Sequence, residues 1–159
     1  MANSKGKSTI AAALLIILAM AISLFALPGD QSATAQTTTF AYIGAVPNPV
    51  GVGQEVLLHI GITQQLNTAD QGWEGLSVTI ERPDGQTDTI SNIRTDSTGG
   101  TGRTYTPTME GSYYIQTHFP AQNGTDYWGD PVAYAASDSE KLELVVQADP
   151  CRFRRRKRR

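Results

Sequence analysis

The sequence predicts an all-β fold, two antiparallel sheets packed face to face, between an N-terminal apolar segment and a basic tail. Three observations carry this. After residue 36 no stretch keeps a 3.6-residue apolar period, whereas several short stretches alternate with period two. Turn formers are frequent, with 15 Gly and 8 Pro in 159 residues, and they fall between those stretches. Charge is segregated rather than mixed. Residues 36–150 hold four bases against fourteen acids, a net of −10, while residues 151–159 hold seven bases and no acid.

Residues 1–35 read as an export signal. Lys5 and Lys7 precede an uncharged run from Ile10 to Leu27, Pro28-Gly29 ends it, and Ala33-Thr34-Ala35 is the small-x-small pattern that signal peptidase accepts. The competing reading is an uncleaved membrane anchor, since eighteen apolar residues lie near the lower limit for a bilayer span. Either reading sends residues 36–150 out of the cytoplasm, because the positive flank precedes the apolar run. The expected location is extracellular or at the cell surface.

The strands follow in order. Phe40-Ala41-Tyr42-Ile43 opens the first, and Pro47-Asn48-Pro49 with Gly51 and Gly53 makes an extended kink. Glu55–Thr63 is the second, with Val56, Leu58, Ile60 and Ile62 on one face. Residues 64–74 form a polar loop. Leu76, Val78 and Ile80 share a face of the third strand, Pro83-Asp84-Gly85 turns the chain, and Gln86–Ile90 returns. Ser97–Gly102 reads as a turn, Thr104–Thr108 as a short strand, and Glu110-Gly111 as another turn. Tyr113, Ile115, Thr117 and Phe119 share a face, residues 121–139 read as one long loop, and Leu142, Leu144 and Val146 line the last strand.

Short strands at this spacing with no helix between them, over about 115 residues, predict an immunoglobulin-like sandwich; a small closed barrel is the alternative. Glu110-Gly111-Ser112-Tyr113 has the spacing of a tyrosine corner. Leu58 and Ile115 stand where disulfide-bonded relatives of that fold carry cysteines, so apolar packing replaces the staple.

The motifs Pro47–Gln54, Gly72–Leu76 running into Arg82–Gly85, Thr95–Gly100, Tyr105-Thr106-Pro107 and Glu110–Tyr113 resemble an Ig-like module of exported archaeal and bacterial proteins. The closing stretch Ala135–Gln147 is similar to that module's last strand. In large members the module precedes a β-propeller of pyrroloquinoline-quinone-type repeats. No such repeats follow in this chain, so the resemblance implies a detached accessory module and not a quinoprotein dehydrogenase.

Catalytic patterns are sparse. His59 and His118 each sit between inward-facing residues, so they point outward, and in this fold their strands belong to opposite sheets. A Ser–His–Asp site around one of them would lack a nucleophile-elbow pattern. Gly51-Val52-Gly53 lacks the third glycine and the Lys-Ser/Thr of a phosphate loop. Asp126, Asp130 and Asp138 offer the ligand type calcium takes but no EF-hand spacing. These readings assign no enzyme activity, no catalytic residue, no cofactor and no metal, and a domain at −10 repels nucleic acid.

The binding candidates are aromatic. The loops 64–75 and 121–139 join at one end of such a sandwich. They carry Trp73, Tyr127, Trp128 and Tyr134 beside Asp70, Gln71 and Asp130. Trp73, Tyr127, Trp128 and Asp130 are the candidate ligand residues, for stacking on a polysaccharide or gripping a surface protein. The plainer reading is that Trp73 caps the core and the Tyr-Trp pair folds over it. Asn123-Gly124-Thr125 in the same loop is a glycosylation sequon. In the tail, Arg152, Arg154, Arg155, Arg156, Lys157, Arg158 and Arg159 repel one another and cannot pack. They suit an anionic membrane or wall polymer, or the domain's own acidic surface, or mark the place where a next domain would begin. Cys151, the single cysteine, can form a disulfide only with another chain. The function these features support is a non-catalytic surface module for interaction, adhesion or domain spacing, with ligand binding at the aromatic pole as the alternative.

Overall fold

The structure, a computed structural model, describes residues 36–126 and 128–150. Residues 1–35, read above as an export signal, Tyr127 and the tail 151–159 lie outside the described residues. All regular structure among the described residues is β, in eleven strands. They are β1 (Ala41–Val46), β2 (Val50–Gly51), β3 (Val56–Ile62), β4 (Leu76–Glu81), β5 (Thr87–Ile93) and β6 (Gly100–Tyr105). There follow β7 (Gly111–Phe119), β8 (Gln122–Thr125), β9 (Pro131–Tyr134), β10 (Ser137–Asp138) and β11 (Leu142–Gln147).

Two sheets enclose the core. One has the order β1-β3-β6; the other runs β2-β11-β7-β4-β5, with β10 on β7. Alternation explains the packing: Val56, Leu58, Ile60 and Ile62 of β3 face Tyr113, Ile115 and Phe119 of β7 across the interior, all at 2 % exposure or less. Burying each such side chain stabilises the fold by about 1.5–3 kcal/mol. Leu58 and Ile115 are fully buried on opposite sheets, the placement that a disulfide occupies in antibody domains.

The first strand is divided between the sheets. β1 pairs with β3, and the chain then crosses over so that β2 runs parallel to the end of β11. The crossing is Pro47-Asn48-Pro49, with cis peptides at Val46–Pro47 and Asn48–Pro49. Proline has no N–H to offer a ladder, so β11 would be left bare beside the kink. The Asn48 side chain fills that gap: its amide donates to Glu143 O at 2.8 Å and accepts from Val145 N at 3.1 Å. At the same end the Tyr113 hydroxyl donates to Met109 O at 3.1 Å and accepts from Met109 N at 3.3 Å, a tyrosine corner. This order, with the split first strand and the corner, makes the fold immunoglobulin-like.

Two elements differ from the sequence reading. The strand expected at Thr104–Thr108 runs instead over Gly100–Tyr105, through residues read as a turn. Glycines disguise it: Gly100 pairs with Gly61, and the Tyr42 ring lies where side chains on both would stand. Ser97, Thr98 and Gly99, the last at φ +89°, keep turn geometry. The long loop 121–139 contains the β8–β9 hairpin and β10. Its strands, Gln-Asn-Gly-Thr and Pro-Val-Ala-Tyr, are four residues each, and only Val132 and Tyr134 of the second turn to the core, too short an alternation to mark a strand.

On the side where no strand closes the sandwich, Tyr105 of β6 donates to Asp88 of β5 at 2.8 Å. Burial, and then this carboxylate, push the Tyr105 hydroxyl well above its ordinary pKa. Arg82 adds ion pairs to Asp84 at 3.1 Å and Asp88 at 3.7 Å. The link ties one sheet to the other at their open edge.

Candidate functional site

The end of the sandwich opposite the tyrosine corner carries three connections: residues 63–75, residues 94–99 and the β8–β9 hairpin. Trp73 organises them. Its N–H donates to Thr95 Oγ1 at 2.9 Å, and its indole Nε1 donates to Gln64 O at 2.9 Å. Its ring meets Phe119 edge-on at 5.6 Å and Tyr134 at 4.8 Å. It is 2 % exposed. Of the two readings of Trp73, exposed ligand residue and cap of the core, the ring follows the second: it is a buried post, because β7 and β9 supply aromatic partners and the loop backbone supplies its acceptor.

The hairpin lies on that post. A Cβ on Gly124 would stand 3.2 Å from the Tyr134 ring and 3.5 Å from Trp73, so β8 rests close against both rings. The other edge of the hairpin takes the N-terminal segment: Thr37 N donates to Ala133 O at 2.8 Å, and Ala135 N to Thr37 O at 2.9 Å. At the tip, Asp126 Oδ1 accepts the N–H groups of Trp128 at 2.8 Å and Asp130 at 2.9 Å. Asn67 reaches across from the other loop and donates to Asp126 O. Trp128, so presented, is 81 % exposed. Asp130 is exposed beside it.

Between the hairpin and residues 66–74 lies an open cleft of about 390 Å³, lined by Leu66, Asp70, Gln71, Glu74, Arg94 and Asn123 among others. A second, of about 410 Å³, adjoins it and reaches Asn92 and Pro120. Glu74, Arg94 and Gln122 border both. Arg94 donates to Asp70 O at 2.7 Å and pairs with Glu74 at 3.4 Å, in an exposed position. The hydroxyl of Thr68 and backbone N–H hold the Asp70 carboxyl below its ordinary pKa. Asn123 of the sequon is exposed on β8 and faces this cleft. Sequence reasoning missed Arg94, Glu74 and Gln122. The available signal was rarity, since Arg94 is one of four bases in residues 36–150.

The carboxylates weighed for calcium do not converge. Asp126 is spent on its own turn and Asp138 on His118, and among the described residues no cluster of His, Cys, Asp or Glu is placed to hold a metal.

His118 makes an array that the sequence only hinted at. Its Nδ1 lies 2.7 Å from Asp138 Oδ1 and its Nε2 2.8 Å from Thr79 Oγ1. A carboxylate only accepts, so Nδ1 carries a proton; in the neutral ring Nε2 then accepts from the Thr79 hydroxyl. The order hydroxyl, imidazole, carboxylate is that of an acyl-transfer triad. The setting is not. Thr79 stands in the middle of β4, a strand paired on both sides, so its neighbouring N–H groups are consumed in the ladders and none is left to stabilise an oxyanion. His59 is exposed on the other sheet.

No family model and no curated protein matches this chain. Among solved structures it is similar to the CARDB domain of a Pyrococcus furiosus protein, crystallised in complex with di-metal ions. The two are 17 % identical, the match covers 68 % of this chain and 91 % of that one, and the TM-score is 0.32. At that score the fold assignment rests on strand order and the tyrosine corner.

Proposed function

We propose that this chain is an exported, non-catalytic Ig-like module that binds a surface protein or polysaccharide through the pole built on Trp73. The single observation that carries the reading is Trp128, 81 % exposed at a hairpin tip whose backbone is tied by Asp126. A turn whose backbone is held in shape before binding has less left to order on contact, which favours affinity. The neighbouring cleft offers the amides of Gln71 and Asn123, the carboxylates of Asp70 and Glu74 and the Arg94 guanidinium, groups that hydrogen-bond sugar hydroxyls or a peptide backbone. The polysaccharide is the better-supported partner, since an exposed indole beside planar polar groups matches a sugar ring with its hydroxyl rim. The tail 151–159 supplies, in this reading, a second and sequence-independent hold on anionic membrane or wall polymer.

The test is binding of the full chain to purified surface polysaccharide from its own host. Trp128→Ala is expected to weaken binding about tenfold or more, with the melting temperature unchanged. Unchanged affinity sinks the reading. Deleting residues 151–159 is expected to remove the salt-sensitive part of membrane or wall binding and leave the rest.

A further inference from the structure

The tripeptide Asn123-Gly124-Thr125 has no part in the binding proposed for the pole. Of the five asparagines in the chain, Asn123 alone has a hydroxyl residue two positions on, with a residue other than proline between. That is the pattern an oligosaccharide-transferring enzyme reads. Its side chain is also unlike those of Asn48 and Asn67. Asn48 spends its amide on Glu143 O and Val145 N, and Asn67 donates to Asp126 O. Among the described residues no hydrogen bond engages the Asn123 side chain.

The hairpin gives this amide room. β8 alternates, with Gln122 and Gly124 half-buried and Asn123 and Thr125 exposed. The Gly124 position points at the Tyr134 and Trp73 rings, so Asn123 and Thr125 share the face turned away from that post. The backbone is open as well. Asn123 stands opposite Ala133, and Ala133 O accepts from Thr37 N on the far side of β9. In an antiparallel ladder a residue's N–H and C=O point the same way, so Asn123 and Ala133 exchange no hydrogen bonds. The N–H and C=O of Asn123 therefore point away from β9, toward the edge of β8 that borders the cleft.

We propose that Asn123 is an N-glycosylation site, modified on export with an oligosaccharide carried on a polyprenyl phosphate or pyrophosphate lipid. This rests on the export half of the function proposed above and needs no ligand at the pole. In the transfer, Asn123 Nδ2 bonds to the anomeric carbon of the sugar. The bond from that carbon to the lipid phosphate oxygen breaks, its electron pair leaves with the phosphate, and one amide proton passes to a base of the transferring enzyme. Nothing is oxidised or reduced. The amide gives up no contact of the fold, so the hairpin carries the glycan without repacking. Standing on the rim, the glycan crowds the cleft from the β8 side.

The test takes the full chain from its own host and reads its location, its intact mass and the mass of the peptide that holds residue 123. Chains outside the cytoplasm are expected to carry hexose or N-acetylhexosamine units on Asn123. Asn123→Gln and Thr125→Ala are each expected to cut the glycosylated fraction about tenfold or more, whereas Thr125→Ser keeps it within about threefold. Without the glycan, Asn123→Gln is expected to melt with the parent chain, and a lowered melting temperature would show that the amide serves the fold. An exported chain with Asn123 bare, or only deamidated, overturns the site and leaves export standing. A bare chain held in the cytoplasm overturns both. Glycosylation that survives Thr125→Ala also overturns the site, since the sequon is then not what is read. Mass does not report polysaccharide binding, so the Trp128 reading stands or falls separately.

Discussion

Trp73 and Trp128 lie in connections at the same end of the sandwich, and their surroundings have little in common. Trp73 is 2 % exposed, hydrogen-bonded through Nε1 and wedged edge-on between Phe119 and Tyr134. Trp128 is 81 % exposed on a turn that Asp126 holds in shape. The first tryptophan shapes the pole and the second faces outward from it. The difference teaches that an aromatic residue in a loop is buried when adjacent strands bring it partners, and presented when the turn is closed by its own backbone and a short side chain.

The largest expected effect breaks the pair apart. Trp73→Ala removes a ring from a closed aromatic cluster and leaves a cavity, at a cost of about 3–5 kcal/mol in a denaturant melt. Trp128→Ala is expected to stay within about 0.5 kcal/mol of the parent protein and to lose the partner. Similar losses of stability in both would mean that the hairpin tip is structural.

How much of this was legible in the sequence follows from the same contrast. Where an element has one buried and one open face, alternation marks it, so β3, β4, β7 and β11 stood out through Val56-x-Leu58-x-Ile60, Leu76-x-Val78-x-Ile80, Tyr113-x-Ile115 and Leu144-x-Val146. The tyrosine corner was visible because it is a local contact, four residues from Tyr113 to Met109. β6 was misplaced because Gly100 and Gly102 carry no side chain, and the Tyr42 and Leu57 side chains that cover them come from other strands. The hairpin was missed because it is held largely by its own pairing, by Asn67 and by Thr37, and only Val132 and Tyr134 of its eight paired residues reach the core. The cleft depends on Arg94, Glu74 and Gln122, which meet only after three distant connections converge. Long-range convergence of polar groups leaves no period in a sequence.

A smaller effect sharpens the claim that Trp128 is presented by a rigid turn. Asp126→Ala deletes the acceptor for two N–H groups and is expected to cost about 1 kcal/mol. Partner binding should weaken as well, although residue 126 need not touch the partner, because the ring must then be ordered on contact. Hydrogen exchange at the Trp128 and Asp130 amides checks this. Protection unchanged from the parent would show that the turn is held by something else.

Thr117 asks whether burial alone stabilises, as the Trp73 comparison assumes. It is fully buried on the inner face of β7, yet its Oγ1 has no hydrogen-bond partner among the described residues. Trp73 satisfies its polar atom and Thr117 does not. Thr117→Val keeps the shape and removes a desolvated hydroxyl, so it is expected to stabilise by about 0.5–1 kcal/mol. A measured loss would reveal an acceptor for that hydroxyl in the core.

The least of the effects is set by pH and separates the rim of the pole from its post. Thr68 and backbone N–H groups favour the ionised form of Asp70, so its folded pKa lies below the ordinary 3.8. For a depressed carboxyl, the contribution is present above the unfolded value and is lost as pH falls through the folded one. The loop around Asp70 should therefore be unaffected from neutral pH down to about pH 4 and loosen only below it. The partners of Trp73 are a carbonyl, a threonine hydroxyl and two rings, none of which titrates in that window. Acid is thus expected to speed exchange at the Gln71 and Gly72 amides while the Trp73 indole N–H stays protected. Loss of both at one pH would make the loop and the post a single cooperative unit, and the cleft would then open only when the sandwich itself unfolds.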